Sequence, residues 1–338
     1  MSFPEMIEPL LRGQNLTFDQ AKDVMVYLTS GEANDAQVGA VCTALRVKRA
    51  TATELAAFAS VLRESATTLP HPYDNLVDTC GTGGGAPTFN ISTASSFIAA
   101  AAGVRVAKHG NRGVTSKVGS ADVLEALGAK IQPTWDVSLR MLESVGLAFF
   151  YAPAHHPAMR HVGKARKDLG FRTVFNQLGP LANPAGALRQ LVGVYDHSLA
   201  FPMAEALMML GTQRALIAHG EDGLDEISPC APTRFALLWD GELTEGIFTP
   251  QGFGIDAVDR AVINPGSTLE ENAEMLRDSI TNVDSPRCTA TLPSAACAIW
   301  IAGLAPERKS ATELARDVVA SGAARERLDQ YIEESQKA

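Results

Sequence analysis

The sequence predicts an α/β protein: a small all-helical N-terminal domain and a large α/β domain with a central, mainly parallel sheet flanked by helices. Three observations carry this. The first seventy or so residues show only helical periodicity. From Leu76 onward, short apolar runs alternate with helix-like stretches, the rhythm of a parallel sheet with crossover helices. The first two of those runs are each followed at once by a polar, glycine-dense segment, as at the carboxyl ends of strands that bind ligands.

The helical start divides into residues 5–11, 18–28, 36–47 and 54–65, each with apolar side chains three and four apart. Thr17 with Gln20, and Thr51 with Glu54, have the spacing of capping boxes. Gly13 and Gly31 are suited to helix stops. Leu69-Pro70-His71-Pro72 reads as a linker. Strands are expected at 76–79, 104–107, 148–151, 190–194, 215–219 and 234–239. Helices are expected between them at 94–102, 121–127, 137–145, 158–169 and 199–210, with a charged helical tail at 311–336. Residues 172–184 read as a turn-rich crossing that rejoins the helical start. The expected domains are therefore 1–70, joined by about 172–187, and 74–171 with 188–338.

A chain of 338 residues with 46% apolar and 20% charged residues has the make-up of an ordinary soluble globular protein. Its net charge of −9 argues against general nucleic-acid or membrane binding. A local basic pocket remains open to Lys108, Arg112, Lys117, Arg160, Arg166 and Arg172. Five scattered cysteines without a C-x-x-C pair fit free thiols in a reducing compartment, not a zinc site or disulfide frame. The N-terminus shows no signal peptide, and the apolar stretch 295–304 is too short to span a bilayer. A cytoplasmic protein is expected.

Four segments carry chemistry. The first is Asp78-Thr79-Cys80-Gly81-Thr82-Gly83-Gly84-Gly85, running on to Thr88-Phe89-Asn90-Ile91-Ser92-Thr93. It matches neither a P-loop nor a dinucleotide fingerprint, but bare backbone amides beside a helix start suit an anion. The second, Lys108-His109-Gly110-Asn111-Arg112, sets a cation, an imidazole, an amide and a guanidinium around one glycine, with Ser116 and Ser120 following. Two such joints suit more than one phosphate. His109 is open to acid–base work or to a hydrogen-bonding wall. The third, His155-His156-Pro157-Ala158-Met159-Arg160-His161, lacks the spacing of a helical metal motif. Arg166 follows on the same expected helix. The fourth, His219-Gly220-Glu221-Asp222-Gly223-Leu224-Asp225-Glu226, places four carboxylates in six positions. Near a phosphate site such hard oxygens suit Mg²⁺.

In this order, with Gly119-Ser120-Ala121-Asp122-Val123-Leu124-Glu125 between the second and third segments, the motifs resemble the anthranilate phosphoribosyltransferases of tryptophan biosynthesis, nearly end to end. The resemblance implies transfer of the phosphoribosyl group of 5-phosphoribosyl 1-diphosphate to anthranilate nitrogen, with release of pyrophosphate. It implies that Gly81, Gly84, Gly85, Thr88, Asn90, Ile91, Ser92, Thr93, Lys108, Ser116 and Ser120 hold the sugar diphosphate. It further implies that Gly81, His109, Asn111 and Arg166 receive anthranilate, and that Ser92, Asp225 and Glu226 hold Mg²⁺, as two ions with substrate bound. No covalent nucleophile is required. A homodimer through the N-terminal helices is implied as well.

Two departures from the family pattern stand out. The first loop runs from Gly84-Gly85 straight into Ala86-Pro87, one position short and without the acid of the usual Gly-Gly-Asp-Gly. Leu292-Pro293-Ser294 reads as a helix entry, since proline suits a first turn. The competing readings are a pyrimidine nucleoside phosphorylase-like enzyme of the same architecture and a non-catalytic relative that binds nucleic acid.

Overall fold

A computed structural model describes residues 2–68, 70–113 and 118–337. Helices α1 (Phe3–Leu11), α2 (Phe18–Ser30), α3 (Asp35–Lys48) and α4 (Ala52–Glu64) open the chain. Their boundaries follow from local chemistry. The Thr17 Oγ1 accepts from the Gln20 amide at 3.3 Å and the Gln20 side chain accepts from the Thr17 amide at 3.0 Å, closing the capping box that starts α2. Gly31 ends α2 in the left-handed region, with φ of 92°. Thr17→Ala is expected to lower stability by about 1 kcal/mol, read as a shift of the urea midpoint at unchanged slope.

The α/β part follows as β1 (Val77–Gly81), α5 (Ile91–Ala101), β2 (Val106–Gly110), α6 (Ser120–Ala126), α7 (Trp135–Ser144), β3 (Leu147–Tyr151), α8 (Ala152–His155), α9 (Arg160–Leu169) and α10 (Phe175–Leu181). It continues with β4 (Arg189–Gly193), α11 (Ala200–Met209), β5 (Arg214–Gly220), β6 (Thr233–Trp239) and β7 (Glu242–Phe248). Then come α12 (Arg260–Ile263), α13 (Leu269–Thr281), α14 (Pro286–Ala302), α15 (Arg308–Ala320) and α16 (Ala323–Gln336).

The seven strands form one sheet in the order β3-β2-β1-β4-β5-β6-β7. β1 to β5 are mutually parallel, while β6 and β7 add on as antiparallel strands. Burial on both faces explains the apolar runs within the parallel strands, most complete in β3, while Asp78, Thr79, Lys108 and His109 lie buried toward the carboxyl ends of β1 and β2. Alternate residues of the central strands serve different cores. Leu216 and Ala218 join α5 and α13 to α16 on one face, and Ala215 and Ile217 join the N-terminal helices, α9, α10 and α11 on the other. α9 packs on α2 and α3, through Val162 and Ala165, and α10 touches α4, β1 and β2. α10 thus runs between the helical bundle and the sheet.

Several sequence expectations change. β7 has no counterpart among the expected strands, because its residues are largely exposed and its alternation is weak. The crossing at 172–184 contains helix α10 despite Gly179 and Pro180. The tail is two helices, separated near Gly322 at φ of 82°. Pro293 is not a helix entry: α14 begins at Pro286 behind the Ser285 cap, and Pro293 lies fully enclosed inside it. β1 and β2 also run further than their apolar letters, through Gly81 and Gly110, so Lys108 and His109 belong to a strand.

Candidate active site

β1, β2 and β4 all reach the same carboxyl edge of the sheet, with Gly81 paired to Gly193 and Gly110 to Tyr151 on β3. The first glycine loop leaves β1 there. The Thr82 amide donates to the Gly193 carbonyl at 2.8 Å, and the Ala86 amide to the Gly223 carbonyl at 2.8 Å. This second bond ties the first segment to the fourth. A β-carbon at Gly85 would fall 2.5 Å from the Asp225 amide and from its Oδ1, so only glycine lets the loop lie flush against that carboxylate.

α5 starts earlier than its apolar letters indicate, with Asn90 as its cap and Ser92 and Thr93 in its first turn. The Asn90 Nδ2 donates to the Val118 carbonyl at 3.3 Å, while its Oδ1 and the Thr93 Oγ1 are enclosed without a partner among the described residues. Thr88 sits half-buried in the loop before it. Ile91 is wholly within the apolar core and its amide donates to the Phe89 carbonyl at 2.7 Å. Lys108, 3% exposed, donates to the Thr79 carbonyl and lies 3.4 Å from the Ser92 hydroxyl. A buried ammonium so close to a helix start leaves positive potential at the strand ends.

Asp225 and Glu226 follow β5 on the facing loop. Burial holds both carboxyl groups above the usual carboxylate range, and for Glu226 the neighbouring Asp225 adds to the rise while Lys108 opposes it. Two neighbouring carboxylates of like charge are relieved by a divalent cation, and Ser92, whose backbone hydrogen-bonds Glu226, brings a hydroxyl oxygen to the same place. The residues fit Mg²⁺, which takes few protein oxygens and leaves the rest of its shell to water and phosphate.

His109 is 5% exposed. Its backbone amide donates to Asp78 Oδ1 at 3.0 Å, which pins the exit of β2 to β1. Its Nδ1 lies 3.1 Å from the Gly179 carbonyl; a carbonyl only accepts, so Nδ1 carries the hydrogen and Nε2 is a bare acceptor. The same reasoning leaves a bare Nδ1 on His156, whose Nε2 donates to the Ala182 carbonyl at 2.8 Å. The two rings lie 5.2 Å apart, and both bare nitrogens are enclosed without a partner among the described residues. The histidine-rich segment suggests at most a metal from its sequence; the pairing of His156 with His109 depends on α10, whose Gly179 carbonyl and C-capping Ala182 carbonyl accept from the two rings. Burial, with His156 second, pushes the His109 pKa down to about 3. The unfolded chain binds this proton near pH 6.5 and the folded chain does not, so folding stability falls as pH drops below about 6.5. The expected loss is about 1.4 kcal/mol per pH unit until about pH 3. His109→Gln should show a shallower slope between pH 6 and 4.5 in denaturant titrations; an identical slope contradicts a buried neutral imidazole.

The remaining expected residues are placed unevenly. The Asn111 carbonyl accepts from the Ser120 hydroxyl at 3.3 Å, joining the turn after β2 to the start of α6. Arg166 projects from α9 with its guanidinium 5.3 Å from the Phe175 ring and no carboxylate partner among the described residues. Phe175 opens α10, the helix whose Gly179 holds His109, so one short helix links Arg166 and His109. Of the six basic candidates, Arg112 is spent on Asp122 and Glu125, and Arg160 is exposed. Lys108 is buried, and Arg166 and Arg172 are half-buried. Ser116 and Lys117 lie outside the described residues.

A helical bundle beside a mainly parallel sheet is the two-part build of the glycosyl transferase family. The helical-bundle domain of the glycosyl transferase family matches residues 4–66, and its a/b domain matches residues 73–325. Anthranilate phosphoribosyltransferase of Saccharophagus degradans is 44% identical over 338 residues, covering 98% of this chain and 99% of its own. The crystal structure of the Thermus thermophilus anthranilate phosphoribosyltransferase superposes with a TM-score of 0.92 at 37% identity, covering 98% of this chain and 99% of that one. The Saccharomyces cerevisiae enzyme, solved in complex with PRPP and Mg, gives a TM-score of 0.82 at 27% identity over 94% of this chain and 92% of that one. The chain belongs to the anthranilate phosphoribosyltransferase family.

Proposed function

We propose that this chain transfers the phosphoribosyl group of 5-phosphoribosyl 1-diphosphate to anthranilate, in tryptophan biosynthesis, and that the two glycine-containing strand exits with Asp225 and Glu226 form its diphosphate site. The observation that carries this is the bond from the first loop to the fourth segment, which brings backbone donors and the carboxylate pair to one place. Gly81, Gly84, Gly85, Thr88, Asn90, Ile91, Ser92, Thr93, Lys108, Ser116 and Ser120 hold the sugar diphosphate. Ser92, Asp225 and Glu226 hold Mg²⁺, as two ions when substrate is bound. When bound, Mg²⁺ neutralises the diphosphate and makes pyrophosphate a better leaving group.

The bond from ribose C1 to pyrophosphate oxygen breaks and the bond from C1 to the anthranilate nitrogen forms. Positive charge grows on the ribose ring between those events, and no covalent enzyme nucleophile takes part. The anthranilate amine is a weak neutral nucleophile, so placement is the larger task; alignment contributes roughly 7–11 kcal/mol in favourable cases. Arg166 pairs with the anthranilate carboxylate, while Gly81, Asn111 and His109 line the ring. His109, held by Gly179, serves there as a neutral wall of the pocket. Its low proton affinity makes it a poor base, and once nitrogen carries the new bond the acidified amine proton passes to the departing pyrophosphate or to water.

In the same reading, residues 1–70 with 172–187 form one body and 74–171 with 188–338 the other, with α10 as the joint. Two chains pair through the N-terminal helices, where Leu10, Leu11, Ala40, Ala44 and Val47 line an apolar groove of about 610 Å³. Five free thiols support a cytoplasmic setting. None of the described helices is long and apolar enough to cross a membrane. The test is to follow anthranilate and uridine in parallel. Consumption of anthranilate with phosphoribosyl diphosphate supports the transferase; phosphate-dependent release of uracil, unaffected by Arg166→Ala, contradicts it.

A further inference from the structure

We propose that Arg172 is a positioning residue for the diphosphate: it clamps the middle of the short first loop so that the loop amides face the substrate. This rests on the assignment of that loop to phosphoribosyl diphosphate.

The loop is fastened at both ends by its own backbone. Near β1, the Thr82 amide donates to Gly193 and the Thr82 Oγ1 accepts from the Tyr195 amide at 3.2 Å. At the far end, Ala86 donates to Gly223. Between them Gly83, Gly84 and Gly85 have no side chains, and Gly83 and Gly84 sit at φ of 65° and 90°. Such a tripeptide has more freedom to lose on ordering than any other. The acid that the family pattern places here is missing, so these three residues have no side chain of their own with which to order themselves.

Arg172 reaches in from the segment between α9 and α10. Its Nη2 donates to the Gly84 carbonyl, and its guanidinium carbon stands 4.3 Å from the centre of the Tyr195 ring. A β-carbon at Gly84 would fall 2.5 Å from that Nη2, so the guanidinium packs on bare backbone. Tyr195 itself is anchored by its amide to Thr82. The result is a closed circuit from loop to guanidinium to aromatic ring and back to the loop. Among the described residues Arg172 has no carboxylate within ion-pair distance, and its charge stabilises the ionised form of Asp225 across the cleft. A planar fork that donates along one edge and stacks on one face is a task for arginine; lysine supplies charge without either.

The test compares Arg172→Gln, Arg172→Lys and Tyr195→Leu with the wild type, by steady-state kinetics and by calorimetric binding of inorganic pyrophosphate with Mg²⁺. In Arg172→Gln we expect the KM for phosphoribosyl diphosphate and the Kd for pyrophosphate to rise about tenfold, with the KM for anthranilate changed less than about twofold. Arg172→Lys should keep most of that deficit, and Tyr195→Leu should show the same split at about threefold. Unchanged pyrophosphate binding in folded variants overturns the proposal, as does an equal rise in both KM values or full rescue by lysine. If Arg172→Gln fails to fold, the other two variants carry the same comparison. Pyrophosphate binding reads the clamp without turnover, so a wild type that binds pyrophosphate through Arg172 but does not consume anthranilate sinks the assigned reaction and not the clamp.

Discussion

Glu226→Gln is expected to lower kcat/KM for phosphoribosyl diphosphate by about a hundredfold, a loss of ~3 kcal/mol, and to raise the Mg²⁺ concentration needed for half-maximal rate. The amide fills the same volume, so the loss reports charge and not packing. Burial and the Asp225 charge hold the Glu226 carboxyl well above its ordinary range, so in the free protein the pair retains a proton. A divalent cation has to displace that proton. The half-maximal Mg²⁺ concentration of the wild type should therefore rise as pH is lowered from 8 to 6, and that pH dependence should flatten in Glu226→Gln. A variant with wild-type kcat/KM and unaltered Mg²⁺ dependence would remove Glu226 from the metal site.

Arg166→Ala is expected to weaken use of anthranilate by about 2–4 kcal/mol, seen chiefly as a higher KM for that substrate. The guanidinium is partly enclosed against Phe175 without a carboxylate among the described residues to satisfy it. Burial lowers its pKa, so the structure carries a desolvated cation that an incoming carboxylate would repay. The KM for phosphoribosyl diphosphate should change far less. Equal losses in both would mean that Arg166 acts through the joint at α10 and not on anthranilate.

Much of the fold was legible because parallel strands buried on both faces are written as short apolar runs, as in Ala148 to Tyr151. The helical start was legible for another reason: Thr17-Gln20 and Thr51-Glu54 state their caps in side-chain chemistry. The misses share a cause. β7 has few apolar letters since its pairing to β6 is mostly backbone, and the interior Pro293 is tolerated because packing around α14 outweighs its cost. α10 hid behind Gly179 and Pro180, yet it is the element that brings Arg166, His109 and His156 into one neighbourhood.

The candidate site divides in the same way. Glycine loops and paired acids were visible because their chemistry is local in sequence. Arg172 and His156 were visible only as a basic-pocket candidate and a member of a histidine-rich segment; their contacts were not, since each is made far along the chain: Arg172 with Gly84, His156 with His109. Spacing also could not show that Arg112 is spent on Asp122 and Glu125. Among the described residues, buried Lys108 and half-buried Arg166 and Arg172 remain of the basic candidates, and they define the site more sharply than the loops alone.

The most direct test of the assigned reaction is to measure loss of anthranilate fluorescence and release of pyrophosphate in the same sample, with phosphoribosyl diphosphate, with and without Mg²⁺. The expected result is equal molar loss and release that requires all three. Well-folded protein that leaves anthranilate untouched across a range of both substrates, or that releases pyrophosphate without consuming anthranilate, would contradict it.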